Sequence, residues 1–241
     1  MGRSIFLVDG IGRASKPATG EGEPADHRAR QEQRKTHRVE AAGSAQLSLS
    51  LGQGVPSTVP TAIDTIADGL ATGRVGHLAF EIVRDRLERV VTVDDFEIGE
   101  AVLLMLERMK LLAEGAGAAA LAGALKLGAA LAGRRVVIVV SGGNIDVNLL
   151  DRIIAHGLAK AGRLMRLVVE MRDRPGELGR LLAVIAEQGA NVHAIQHDRT
   201  RRDVRIGGAR VTLELETRGH DHIERIREAL AANGHQVLVE N

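Results

Sequence analysis

The hydrophobic pattern of the chain changes character twice. Over residues 1–38 the only apolar run is Ile5-Phe6-Leu7-Val8, and from Lys16 onward the stretch is Pro, Gly, Gln and mixed charge. Such a segment buries too little to offset its ordering entropy and is expected to be disordered. Periodic patterns begin at Val39. Leu47, Leu49 and Leu51 alternate with Ser48 and Ser50, which suits either a strand end or a small-residue helix. Residues 52–60 read as a loop from their Gly and Pro, and Asp64-Thr65-Ile66-Ala67-Asp68-Gly69 reads as a polar turn. Leu78, Ile82, Val83 and Leu87 predict a helix, and residues 89–93 a short strand. Thr92 or Asp94 can cap the next helix, striped by Ile98, Val102, Met105, Leu106 and Met109. An Ala-rich helix follows from residue 116 to about 131.

The pattern then reaches Val136-Val137-Ile138-Val139-Val140, followed by Ser141-Gly142-Gly143-Asn144-Ile145-Asp146. An unbroken β-branched run marks a strand buried on both faces, here delivering a polar turn. Val147, Leu149, Leu150, Ile153, Ile154 and Leu158 continue it as a helix. Strand, polar turn and helix form the α/β unit that holds ligands at the strand's carboxyl end, so Ser141 is the leading candidate site residue. From Met165 a separate module begins. Strand 167–169, turn Asp173-Arg174-Pro175-Gly176, helix 178–185, strands 191–198 and 209–217, helix 221–233 and strand 236–239 make a βαββαβ order, the ferredoxin-like plan. A basic, glycine-bearing hairpin, residues 199–208, joins its second and third strands.

Composition narrows the function classes. Three Phe and no Trp or Tyr leave no stacking platforms for single-stranded nucleic acid, and a net charge of +1 gives no basic surface. The absence of cysteine excludes disulfides, thiolate zinc sites and Cys nucleophiles, and fits a cytoplasmic protein. No stretch approaches the roughly 20 apolar residues of a membrane helix. Neither nucleic acid nor membrane is expected as a partner. His193 and His197 lie four apart on a strand, not on a chelating helix face, and none of the nine histidines is assigned a catalytic role.

The Ser141-Gly142-Gly143-Asn144-Ile145-Asp146 motif, the 64–69 turn, Glu114-Gly115-Ala116-Gly117-Ala118-Ala119-Ala120 and Asn148-Leu149-Leu150 together resemble the carboxyl-terminal part of threonine ammonia-lyase (threonine dehydratase). That is a pyridoxal-phosphate enzyme family of the tryptophan-synthase-β fold type. The resemblance implies an α/β fold in which residues 39–163 form part of the lyase domain. It implies that Ser141 meets the cofactor's pyridine nitrogen, with Gly142 and Glu114 beside the ring. A neutral hydroxyl there does not hold the ring protonated as a carboxylate would, which suits β-elimination. Glu40 matches a cation-binding position of some relatives, but Ser44 and Gln46 add no second carboxylate, and no metal is expected.

Residues 164–241 resemble an ACT domain, the small regulatory fold often joined to amino-acid enzymes. The resemblance implies an amino-acid effector held by Asp173, Gly176, Leu178 and Asn191, or a dimerising module without a ligand; homo-oligomers formed through this domain are expected. The family's Ser-Phe-Lys-x-Arg-Gly motif, which carries the Schiff-base lysine, and its glycine-rich phosphate loop have no match here. No catalytic residue is therefore assigned. The expectation is a truncated lyase, inactive by itself, preceded by an unrelated segment over residues 1–38.

Overall fold

The computed structural model describes residues 3–8, 34–59, 64–200 and 202–240. The chain divides into two units, Met1–Ile153 and Ile154–Asn241. In the first, β1 (Arg3–Val8), β2 (Arg34–Ala41), β3 (Leu87–Val93) and β4 (Arg135–Ile138) form a parallel sheet ordered β3-β2-β1-β4. The expectation of disorder over residues 1–38 is corrected at both ends of that segment. Backbone pairing from Arg3↔Arg34 to Val8↔Val39 makes the isolated apolar run a strand. Partners distant in sequence, which a local pattern does not reveal, order it. The rest of the segment, with Lys16, lies outside the described residues.

Helices α1 (Gln46–Gln53), α2 (His77–Val83), α3 (Asp95–Leu104), α4 (Gly115–Leu127) and α5 (Val147–Lys160) complete this unit and lead out of it. The ambiguous 47–51 stretch is thus helical. A capping box opens α3: the Asp94 carboxylate accepts the Glu97 N–H and the Glu97 carboxylate accepts the Asp94 N–H, each at 2.8 Å. A wider turn at Met105–Met109 then ends at Lys110, whose φ of 56° is left-handed. Built mainly of Gly and Ala, α4 packs across all four described strands of the sheet. A Cβ on its Gly123 would lie 2.5 Å from a Val39 methyl, so the small residue sets how closely helix and sheet approach.

The run at 136–140 is not buried on both faces as its composition predicted. Among the described residues β4 pairs only with β1 and is an edge of the sheet. Val137 is 54% exposed and Val139 38%, whereas Val136, Ile138 and Val140 pack against the core. Alternation along a strand allows this division, with one face covered and the other open. The sheet runs from β1 outward through β2 and β3, and the chain then returns to the far side of β1. The loop after β4 therefore leaves from the reversal point that favours ligand binding in open parallel sheets.

In the second unit, β5 (Leu164–Arg172), α6 (Glu177–Glu187), β6 (Asn191–Asp198), β7 (Gly208–Glu216), α7 (His220–Ala232) and β8 (Gln236–Glu240) form a ferredoxin-like fold. Its antiparallel sheet is ordered β6-β7-β5-β8, with Leu167, Val169, Leu213 and Leu215 packed on Leu181, Ile185, Ile226 and Leu230. His222 is buried and links the two helices: Nδ1 accepts the Arg218 N–H at 3.1 Å and Nε2 donates to the Gln188 carbonyl at 2.9 Å. Among the described residues no helix is long and apolar enough to cross a membrane.

Candidate functional site

Two segments converge on the amino terminus of α4, because its first turn lacks side chains that would hold them apart. A Cβ on Gly115 would lie 2.4 Å from the Ile66 carbonyl oxygen, and one on Gly117 2.3 Å from that of Ser141. The 64–69 turn and the loop after β4 are both in backbone contact with the helix. Glu114, the N-cap residue, closes the arrangement: its N–H donates to the Gly142 carbonyl at 3.4 Å and its Oε2 accepts the Asn144 N–H at 3.2 Å. Gly142 has a φ of +88°, and a Cβ there would stand 2.3 Å from Glu114 Oε1. Its conformation and its closeness to a carboxylate both require glycine.

Two side chains outside the predicted set hold these loops. Asp146 Oδ1 accepts the N–H groups of Asn148 (2.9 Å) and Leu149 (3.0 Å), so Asp146 caps α5. The Thr65 hydroxyl donates to Asp95 at 2.6 Å and accepts the Ala67 N–H at 3.2 Å. Between the loops lies a cavity of about 520 Å³ lined by Thr65, Ile66, Asp68, Glu114, Gly115, Asn144, Ile145, Asp146, Val147 and Leu149. Ser141 is half-buried beside it, and its hydroxyl makes no hydrogen bond among the described residues. Neither Ser141 nor Gly142 belongs to the lining. Thr65, Asp68, Asn144 and Asp146 went unassigned in the sequence, although their grouping in two polar turns was the available signal.

The cavity does not fit a complete pyridoxal-phosphate site. Among the described residues its lining contains no lysine, and the ionisable groups there, Asp68, Glu114 and Asp146, have the wrong sign for a phosphate. Lys110 donates to the Glu107 carbonyl at 2.8 Å, Lys126 pairs with Glu97 at 2.9 Å, and Lys160 ends α5. Glu40 is also committed. Buried at 4% exposure, it accepts the N–H groups of Leu47 (2.6 Å) and Ser48 (2.9 Å) and the Ser48 hydroxyl (2.7 Å), neutralising the start of α1. Burial pushes the nearby Arg38 guanidinium down to about 10, and Glu40 opposes that shift. Among the described residues no cluster of three metal-binding side chains occurs.

In the second unit Asp173, Gly176 and Leu178 line a cavity of about 420 Å³ at the β5–α6 turn, together with His197 and Arg199 from the end of β6 and the hairpin after it. Asn191 is not with them. It begins β6, which runs parallel to β5, so it sits at the opposite end of the sheet, where its amide donates to Glu216 at 3.1 Å. The grouping of Asn191 with the turn is therefore corrected. Near the hairpin, Arg210 pairs with Glu170 at 2.5 Å and with Asp203, and these hydrogen bonds raise its pKa.

A family model described as pyridoxal-phosphate dependent enzyme matches residues 10–142, and one described as ACT domain matches residues 165–235. The first therefore begins inside the stretch expected to be unrelated. The chain is 46% identical over 174 residues to an L-threonine ammonia-lyase of Thermotoga maritima, covering 72% of this chain and 43% of the relative. It is 43% identical to an L-threonine ammonia-lyase of Geobacter sulfurreducens, covering 83% and 49%. The chain thus spans about half the length of these curated relatives. Among solved structures, the processed form of threonine deaminase isoform 2 from Solanum lycopersicum aligns with a TM-score of 0.54 at 25% identity, over 64% of this chain and 44% of that one.

Proposed function

Because this chain belongs to the family of pyridoxal-phosphate dependent enzymes and carries an ACT domain, we propose that its first unit is the ring-side part of an amino-acid ammonia-lyase site. The amine and the phosphate site come from another polypeptide segment. The reaction of the assembled site is loss of ammonia from L-threonine to give 2-oxobutanoate, a substrate supported by the names of the two ammonia-lyase relatives. The observation that carries this reading is the Glu114 clasp. It joins the Ser141-Gly142-Gly143-Asn144 loop to α4 beside a cavity that has polar walls and no lysine. In it Ser141 offers an unbonded hydroxyl, Gly142 gives the loop its turn, and Glu114 fixes the loop's position.

By itself the chain is inactive in this proposal. The test is absorbance in the internal-aldimine band after cofactor is added to the purified chain, with a 2-oxo-acid assay on threonine and serine. No new band and no product are expected; clear turnover overturns the reading.

A second reading, a regulatory module that does not catalyse, is favoured by the complete two-helix core of the second unit and the cavity at its first turn. In either reading the ACT unit binds a small effector at the 173–178 turn and pairs with a second copy, in the cytoplasm. Sedimentation of the full chain as a monomer overturns the pairing.

A further inference from the structure

The cavity at the β5–α6 turn carries more positive charge than a neutral amino-acid effector requires. Asp173 is paired with Arg199 at 3.2 Å and Glu177 with Arg180 at 3.2 Å, so both carboxylates at the turn are already neutralised. Arg172, Arg174 and His197 also line the cavity, and none of them makes an ion pair among the described residues. Arg210 is not available to it, being held by Glu170 and Asp203. The first turn of α6 points the same way: its N-cap is Gly176, which supplies no side-chain acceptor for the helix N–H groups. The apolar part of the lining is limited to Met171, Pro175 and Leu178. Among the described lining residues an aliphatic zwitterion would find no unpaired carboxylate for its ammonium and little wall for its tail.

We propose that this cavity binds a small dianion, an organic phosphate or a dicarboxylate, through Arg172 and Arg174. The inference rests on the reading of the second unit as an effector-binding module, and it names the effector's charge class. Arginine suits both forms, since its planar fork meets carboxylate or phosphate oxygens in pairs. Arg199 contributes by keeping Asp173 neutralised, so that no uncompensated negative charge faces the ligand.

The test is calorimetry on the full chain at fixed ionic strength with glycerol 3-phosphate, succinate and isoleucine. Wild type is compared with Arg174→Ala, Arg174→Lys and Arg199→Ala. All three positions substituted or paired here are exposed, and unchanged urea midpoints verify that the variants fold. At least one dianion is expected to bind, and which one does identifies the source. Arg174→Ala and Arg199→Ala should each weaken it roughly tenfold or more, and Arg174→Lys should weaken it less than Arg174→Ala, since an ammonium keeps the charge but loses the paired contacts. Binding of isoleucine with neither dianion overturns the charge assignment and leaves the effector-binding reading standing. Silence with all three overturns both. Dianion binding unchanged in both alanine variants removes it from this cavity.

Discussion

Gly142→Ala tests the clasp at the amino terminus of α4. The substitution has two consequences that can be separated. A residue other than glycine held at a φ of +88° is strained by about 1–2 kcal/mol. The new Cβ would also stand 2.3 Å from Glu114 Oε1, and because that atom ends a flexible side chain, Glu114 swings away and releases the Asn144 N–H. Loss of that exposed hydrogen bond and of the carboxylate near the helix terminus adds about 1–2 kcal/mol. Glu114→Ala incurs only the second consequence. The double variant should therefore cost about 2–4 kcal/mol, the same as Gly142→Ala alone, and the coupling between the two positions should be about 1–2 kcal/mol. Hydrogen exchange at the Asn144 amide reports the local opening free energy directly and does not depend on activity. If the two single costs add to within about 0.5 kcal/mol in the double variant, the clasp is not the element that holds the loop.

Two further substitutions probe the supports of each unit, followed by urea titration with far-UV circular dichroism because the chain has no Trp or Tyr. Glu40→Gln places an amide N–H₂ among donors at the start of α1 and should destabilise the first unit by about 1–3 kcal/mol; a change below about 0.5 kcal/mol refutes the capping role. His222→Leu keeps roughly the volume but strands the Arg218 N–H and the Gln188 carbonyl, so the second unit should lose about 1–3 kcal/mol, and an unchanged midpoint counts against the helix link.

Much of this architecture was legible in the sequence, because the interactions that create it are local. The Asp94 and Glu97 capping box spans three residues, and the alternating Val211, Leu213 and Leu215 announce a half-buried strand. The second unit's element order could be read in full, and the polar turn after β4 stood out as a candidate site from residue type alone. Glycines at 115, 117 and 142 were visible as a pattern, but the reason for them was not. That reason is the Ile66 and Ser141 carbonyls and the Glu114 carboxylate, which only the fold brings within contact.

Tertiary structure decided the remainder wherever the determining partner lay far along the chain. The 47–51 stretch is a helix because the buried Glu40 carboxylate reaches its first N–H groups. Residues 3–8 are a strand because residues 34–39 and 135–138 flank them. The β-branched run before Ser141 lies at an edge, with Val137 open to solvent, because β1 pairs with only one of its sides. Asn191 is separated from Asp173 because β5 and β6 run in the same direction, which places the start of β6 level with the start of β5 and a full strand length from the turn that follows it. Residue types determined which chemistry the chain can offer, and strand order determined which of those residues share a site.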